Sequence, residues 1–282
     1  MAGKIGSILA VCLGIVVFGQ SVLAQETEED KLSNALELGV LYYNFDYAED
    51  IDGPGKSTEE GWLPGLHLGY RYEGADNGLY GRLLFEWTDW ETNYDGTTQA
   101  PDYDPVEDQT ENTMITVESN IGYTFKPGDL HITPYTGLGY RYWDRDLGNL
   151  GNPFSEEYSW WFVPLGVRAD WLASEDLTIA LDVSVNFMFA GNIAVNLSEA
   201  DPLFDDEESD LGNKDGWKVE LPVTYRFDEQ WALVVTPWYE YSEIGKGDEF
   251  TVMYGGVPVG IGWEPASETE QYGVYLGIEF RF

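Results

Sequence analysis

The chain has 282 residues, with 51 Asp and Glu against 14 Lys and Arg, 15% aromatic residues, 32 glycines and one cysteine. Disordered acidic chains are poor in aromatics, so 11 Trp and 19 Tyr place this acidity on a folded body. A net charge of −37 excludes a nucleic-acid partner, because a phosphate backbone is held by clustered Lys and Arg.

Residues 1–24 read as a signal peptide: Lys4 in the positive n-region, Ile8 to Phe18 as the apolar h-region, and Val22-Leu23-Ala24 as a small-residue cleavage site before Gln25. The apolar run is shorter than the roughly 20 residues of a spanning helix. Cleavage removes Lys4 and Cys12, leaving a mature chain at −38 with neither a disulfide nor a thiolate metal site. Residues 25–34 form a short periplasmic tail, and 35–282 a single barrel domain.

Beyond the tail, apolar and polar residues alternate in ten segments: 35–46, 62–72, 79–90, 113–125, 130–143, 160–172, 177–190, 216–227, 231–242 and 271–282. Most are long enough to cross a bilayer when tilted. Four connections are short and rich in turn residues, whereas 47–61, 91–112, 144–159, 191–215 and 243–270 are long and polar. This alternation predicts an all-β chain, a transmembrane antiparallel up-and-down β-barrel of about ten strands with short periplasmic turns and long acidic extracellular loops. Eight or twelve strands remain open if a loop such as 191–215 or 243–270 hides a hairpin.

One face of each segment suits hydrocarbon. In the last strand Tyr272, Val274, Leu276, Ile278, Phe280 and Phe282 lie on that face; in the seventh it runs from Leu177 to Phe189. Aromatics gather at the long-loop ends (Trp62, Trp87, Tyr142, Trp161, Phe189, Trp217, Tyr241) and at the short-turn ends (Tyr72, Phe125, Trp171, Phe227, Trp231, Phe282). Two such girdles mark membrane interfaces, and a soluble sandwich has no reason to sort aromatics by height.

With the export signal and the closing strand Tyr272 to Phe282, the chain resembles the small outer-membrane β-barrel proteins of Gram-negative bacteria, with OmpA/OmpX-like barrel architecture. Gly137-Leu138-Gly139-Tyr140-Arg141-Tyr142-Trp143 looks like a strand of uncharacterised barrels of this kind. The resemblance implies residence in the outer membrane beside lipid and lipopolysaccharide. It also implies that Tyr272, Val274, Leu276, Ile278, Phe280 and Phe282 are read by the barrel-assembly machinery.

The polar face carries Arg71, Arg82, Arg141, Arg168, Lys218, Arg226 and Arg281 against Glu37, Glu86, Glu118, Asp170, Asp182, Glu220, Glu240 and Glu279. Near-neutrality inside so acidic a chain predicts a lumen filled by ion pairs, as expected for a barrel of this size. The long loops and their flanks carry −27 in all, most densely in Asp205, Asp206, Glu207, Glu208 and Asp210. They form either a solvated acidic surface or a weak Ca²⁺ or Mg²⁺ site centred on these residues and on Asp50, Asp52 and Glu59. Asp50, Asp52, Gly53 and Glu59 approach an EF-hand spacing, but Ala48 stands at its first ligand position.

Ten strands is also the size of the omptin proteases, which use an Asp pair facing an Asp-His pair at the extracellular rim. This chain has only His67, mid-strand, and His131, beside a short turn, and therefore lacks the general base. The reading is of a non-enzymatic barrel with no cofactor beyond weakly held cations and a structural or surface-interaction role. A narrow pore for ions or small solutes is the alternative, and a rim-located hydrolase the third.

Overall fold

The computed structural model describes residues 34–51, 56–74, 78–97, 103–147 and 154–282. The signal peptide and the tail up to residue 33 lie outside the described residues. In chain order the strands are β1 (Asn34–Glu49), β2 (Thr58–Glu73), β3 (Leu79–Thr97), β4 (Pro105–Tyr123), β5 (Leu130–Asp146), β6 (Ser155–Leu172), β7 (Leu177–Val195), β8 (Glu207–Asp210), β9 (Asp215–Glu220), β10 (Val223–Arg226), β11 (Trp231–Ile244), β12 (Phe250–Tyr254), β13 (Val257–Gly262) and β14 (Ser267–Arg281). They build a closed antiparallel barrel of ten staves, because β14 pairs with β1 from Ala35↔Arg281 to Glu49↔Ser267.

The eighth stave is assembled from pieces. Both β9 and β10 lie between β7 and β11, separated at Leu221-Pro222 because Pro222 has no N–H to give to the ladder. Backbone bonds from Ala180 to Pro222 and from Leu221 to Pro237 hold the break shut. The connection 243–270 does hide a hairpin, β12–β13, but it forms a sheet of its own and leaves the stave count at ten.

Alternation places the side chains as the sequence predicts. Leu38, Ile121 and Leu165 are among the most exposed of an outward aliphatic band, which lipid covers. Aromatic pairs bound it: Tyr42 stacked on Trp62 and Tyr140 tilted against Trp161 on the outer side, Trp231 tilted against Phe280 and Tyr123 against Phe125 on the inner. Lumen glycines make room for bulk, since a Cβ at Gly139 would stand 2.1 Å from the Phe162 ring and one at Gly166 2.3 Å from Tyr135.

The staves run up to eight residues further outward than the sequence predicts. β1 continues seven residues past Tyr42, or ~15 Å of tilted strand above the outer aromatic belt. Polarity inverts there. Even-numbered Leu36, Leu38, Val40 and Tyr42 face lipid, whereas above the belt odd-numbered Tyr43, Phe45 and Tyr47 are buried inside and Asp46 is exposed. With no hydrocarbon outside, the apolar side chains turn inward, and Phe45, Tyr47, Leu63, Trp143, Tyr158 and Ile193 form an extracellular core. Reading apolar as lipid-facing fails above the membrane for this reason.

Candidate functional site

The lumen is a ladder of charged side chains supplied by neighbouring staves. At the inner mouth Arg71 on β2 reaches Glu279 on β14 at 2.6 Å and Glu73 at 3.6 Å, and Arg281 bonds to the same fully buried Glu279. Arg168 grips Asp170 with Nε and Nη2 and comes to 3.9 Å from Asp182. Higher up, Arg82 lies 3.5 Å from Glu220 and 3.9 Å from Asp182, which also accepts a 2.7 Å bond from the Tyr135 hydroxyl. Lys218 pairs with Glu220 at 3.1 Å, and Glu118 accepts a bond from Asn120.

At mid-height His67 stands between Glu86, 3.0 Å from Nδ1, and Glu37, 3.7 Å from Nε2, with its ring against Tyr275. Arg141 pairs with Glu240 at 2.7 Å and lies over Trp160. Charges taken out of water persist only when paired. The space left between these groups comes in cavities of about 20 to 30 Å³, room for a single water each. A roomier cavity of about 180 Å³ opens at the inner mouth among Arg71, Arg168, Asp170, Arg281 and His131.

A second charged layer stands above the outer aromatic belt, inside the extracellular extension. Arg145, on β5 and almost fully buried, bonds through Nε to Glu59 on β2 and through Nη1 to Glu156 on β6 at 2.9 Å. Its guanidinium lies over the rings of Tyr47 and Tyr94. Glu59 takes further bonds from Thr92 (2.8 Å), Thr110 (2.7 Å) and Asn112 (3.2 Å), and Asn112 is fixed by the Trp143 indole N–H at 2.6 Å. The Tyr158 hydroxyl lies 3.0 Å from Glu156 and 2.9 Å from Glu264, which descends from the last extracellular loop.

Glu59 and Glu156 thus share Arg145 as their cation, and Glu49 and Glu264 lie near enough to feel its charge. Burial acts to raise the Glu59 carboxyl, but Arg145 and the Thr110 and Thr92 hydroxyls override it and hold Glu59 below the usual carboxylate range. Glu264 goes the other way. Burial first, then the charges of Glu156 and Glu49, push it well above that range, toward the protonated form. Burial likewise raises Glu49. The layer combines the ion pairs of Arg145 with a buried carboxyl held by the Tyr158 hydroxyl, above the membrane.

Residues 32–236 match the family model described as the autotransporter beta-domain. The chain belongs to that family. It is accordingly an outer-membrane β-barrel of Gram-negative bacteria. The crystal structure of the outer membrane protease OmpT from Escherichia coli superposes on it with a TM-score of 0.66 at 8% identity, over 92% of this chain and 99% of that one. The outer membrane protein OprG from Pseudomonas aeruginosa gives 0.40 at 14% identity, over 91% and 99%. Ail, the attachment invasion locus protein of Yersinia pestis, gives 0.31 at 10%, over 89% and 100%. No curated protein matches the sequence. At these identities the likeness to OmpT is one of fold alone.

Fourteen of the fifteen sequence-predicted lumen residues meet partners inside the barrel, in five clusters: Arg71 and Arg281 with Glu279; Arg168, Asp170, Asp182, Arg82, Glu220 and Lys218 together; Glu37 and Glu86 with His67; Arg141 with Glu240; and Glu118 with Asn120. Arg226 is the exception, turning at the inner end to Asp176 and the Glu175 carbonyl on the adjoining turn. The cation-site residues do not converge. Glu59 is not a loop ligand: it is fully buried on Arg145, while Asp50 is exposed at the end of β1 and Asp52 lies outside the described residues. Glu207, Glu208 and Asp210 belong to β8, paired to β7, and Asp206 accepts the Ser198 N–H at 2.9 Å, so alternation sends neighbouring carboxylates to opposite faces. Among the described residues, no group of three or more His, Asp or Glu could hold a metal ion.

Sequence reasoning missed Arg145, Glu156, Tyr158 and Glu264 by assigning all four to loops. A signal was present in Tyr43, Phe45 and Tyr47 alternating with Asn44 and Asp46, and in Thr110 and Asn112, two residues apart, both of which face inward.

Proposed function

We propose that this barrel is a non-conducting surface protein whose work is done at its extracellular end. The observation that carries the reading is the Arg145 layer. A filled transmembrane lumen obstructs passage, and a second buried layer of charge and aromatic rings, with the Glu264 carboxyl among them, lies above it. Neither histidine supports hydrolysis at the outer rim, since His67 is buried at mid-lumen and His131 lines the inner-mouth cavity. The acidic loops serve as the contact surface and draw Ca²⁺ or Mg²⁺ as screening ions against lipopolysaccharide, and the closing strand serves the barrel-assembly machinery. A narrow ion path is the second reading, favoured by the water-sized cavities beside Arg141 and His67. Planar-bilayer recording decides between them: silence is expected, and discrete channel openings by the wild-type protein would replace this reading with a pore.

A further inference from the structure

The inner-mouth cavity, at about 180 Å³, is several times larger than the single-water spaces above it. Strand register makes the room. Ala35 on β1 pairs with Arg71 on one side and with Arg281 on the other, so a methyl group stands between two guanidinium-bearing residues of neighbouring staves. Glu73 follows Arg71 by two residues on β2, and Glu279 precedes Arg281 by two on β14, which puts each pair on one face. Arg71, Glu73 and Arg281 therefore line a single cavity, with Glu279 buried against the two arginines.

Some of these charges are engaged and others are open. Arg168, also on the lining, holds Asp170 with Nε and Nη2. Arg281 gives Nε to Glu279, but among the described residues its two Nη groups, which carry most of a guanidinium's donors, have no hydrogen-bond or ion-pair partner. The Glu73 carboxylate lies 3.6 Å from Arg71 Nη1, beyond hydrogen-bond reach, and has no other partner among the described residues. The Arg281 and Glu73 side chains are 23% and 34% exposed, so a solute in the cavity can reach both. Arg71, Arg168 and Arg281 together balance Glu73, Asp170 and Glu279. A simple anion is drawn by Arg281 and repelled by Glu73, and a simple cation meets the reverse. A small molecule carrying both charges satisfies both groups.

From these two open groups we infer that the inner mouth binds a free α-amino acid, with its carboxylate on the Nη groups of Arg281 and its ammonium on Glu73. The planar fork of an arginine matches a carboxylate with two parallel bonds. The site faces the periplasm, at the opposite end of the barrel from the acidic loops, and stands apart from the surface-interaction reading.

The test titrates the detergent-folded protein with alanine, with N-acetylalanine, which lacks the ammonium, and with alaninamide, which lacks the carboxylate, by ligand-observed NMR. Alanine should bind, and each analogue should bind at least about tenfold more weakly. Glu73→Gln should weaken alanine by a similar factor while N-acetylalanine binds no more weakly than before. Arg281→Gln should do the same to alanine while alaninamide binds no more weakly. Arg71 keeps Glu279 paired in that variant, so the heat-modifiable gel shift of the barrel should be kept. Arg226→Gln, at the same end but paired with Asp176 outside the cavity, should leave alanine binding as it was. N-acetylalanine equal to alanine would reduce the cavity to a plain anion site, and alaninamide equal to alanine to a plain cation site. Wild-type affinity in both the Glu73 and the Arg281 variants would place the binding elsewhere, and no binding of alanine at about 10 mM would end the inference. Binding that appears only once Glu26, Glu28, Glu29 and Asp30 become Gln and Asn would overturn it in favour of the chain's own segment 25–33, which leads into Asn34 on the cavity lining.

Discussion

Replacing Arg145 by Ala removes the cation that Glu59 and Glu156 share, together with its cover of the Tyr47 and Tyr94 rings. Removing one partner of a buried pair costs about 3 to 5 kcal/mol. Glu59 keeps the Thr92, Thr110 and Asn112 donors in the variant, which favours the lower end, about 3 kcal/mol. Buried carboxylates can escape by taking up protons, and about 3 kcal/mol corresponds to roughly two units of carboxyl pKa. The loss should therefore be largest at pH 8 and shrink toward pH 5, and adding Glu59→Gln to the variant should recover part of it. Urea unfolding in lipid vesicles, followed by Trp fluorescence, measures this directly. A loss under about 0.5 kcal/mol at pH 8, the level of an ordinary surface change, would refute the account. So would a loss identical at both pH values.

Glu264→Gln should flatten the pH dependence of stability. The folded carboxyl binds its proton more tightly than the unfolded one, so the wild type loses stability as pH rises from the ordinary carboxylate range toward the raised folded value, and the neutral isostere does not. Parallel urea midpoints for the two proteins from pH 5 to 8 would contradict this. In the lumen, Arg168→Ala and Arg141→Ala each leave a buried carboxylate unpaired, Asp170 or Glu240, and should cost about 3 kcal/mol; no change in either would show a wet lumen. Because the carboxylates of 205–210 do not converge, millimolar Ca²⁺ and NaCl of equal ionic strength should act alike on thermal stability; an excess calcium effect lost when Asp205, Asp206, Glu207 and Glu208 become Asn and Gln would show a cation site after all.

The transmembrane half of the barrel was legible in the sequence because lipid imposes a simple rule there. Leu36, Leu38 and Val40 alternate with Glu37, and no other placement satisfies both hydrocarbon and a paired lumen. The same rule failed a few residues higher. Tyr43, Phe45 and Tyr47 continue the strand with the opposite sense, since water and not lipid lies outside, and the change of sense resembles a strand end. Arg145 and Glu59, separated by 86 residues in the chain, meet only through closure of the barrel, so no local spacing announces the pair. Pro222 split the eighth stave without changing the count, because β9 and β10 resume the same neighbours on either side of it. The hairpin β12–β13 lay within a loop that already allowed for one, but its detachment from the barrel sheet is a matter of tertiary placement.

The pairing of β1 with β14 joins the two ends of the barrel domain, from Ala35 with Arg281 to Glu49 with Ser267. Contacts so distant in sequence form slowly, because the loop they close must lose its freedom before it gains anything. Until the last stave arrives, β1 presents a long row of unpaired N–H and C=O groups able to capture any other strand. Deleting Ser267–Arg281 would therefore not yield a smaller barrel. It would yield an open sheet with one bare edge on β1 and another on β11, and aggregation of that sheet before membrane insertion is the failure that the final stave prevents.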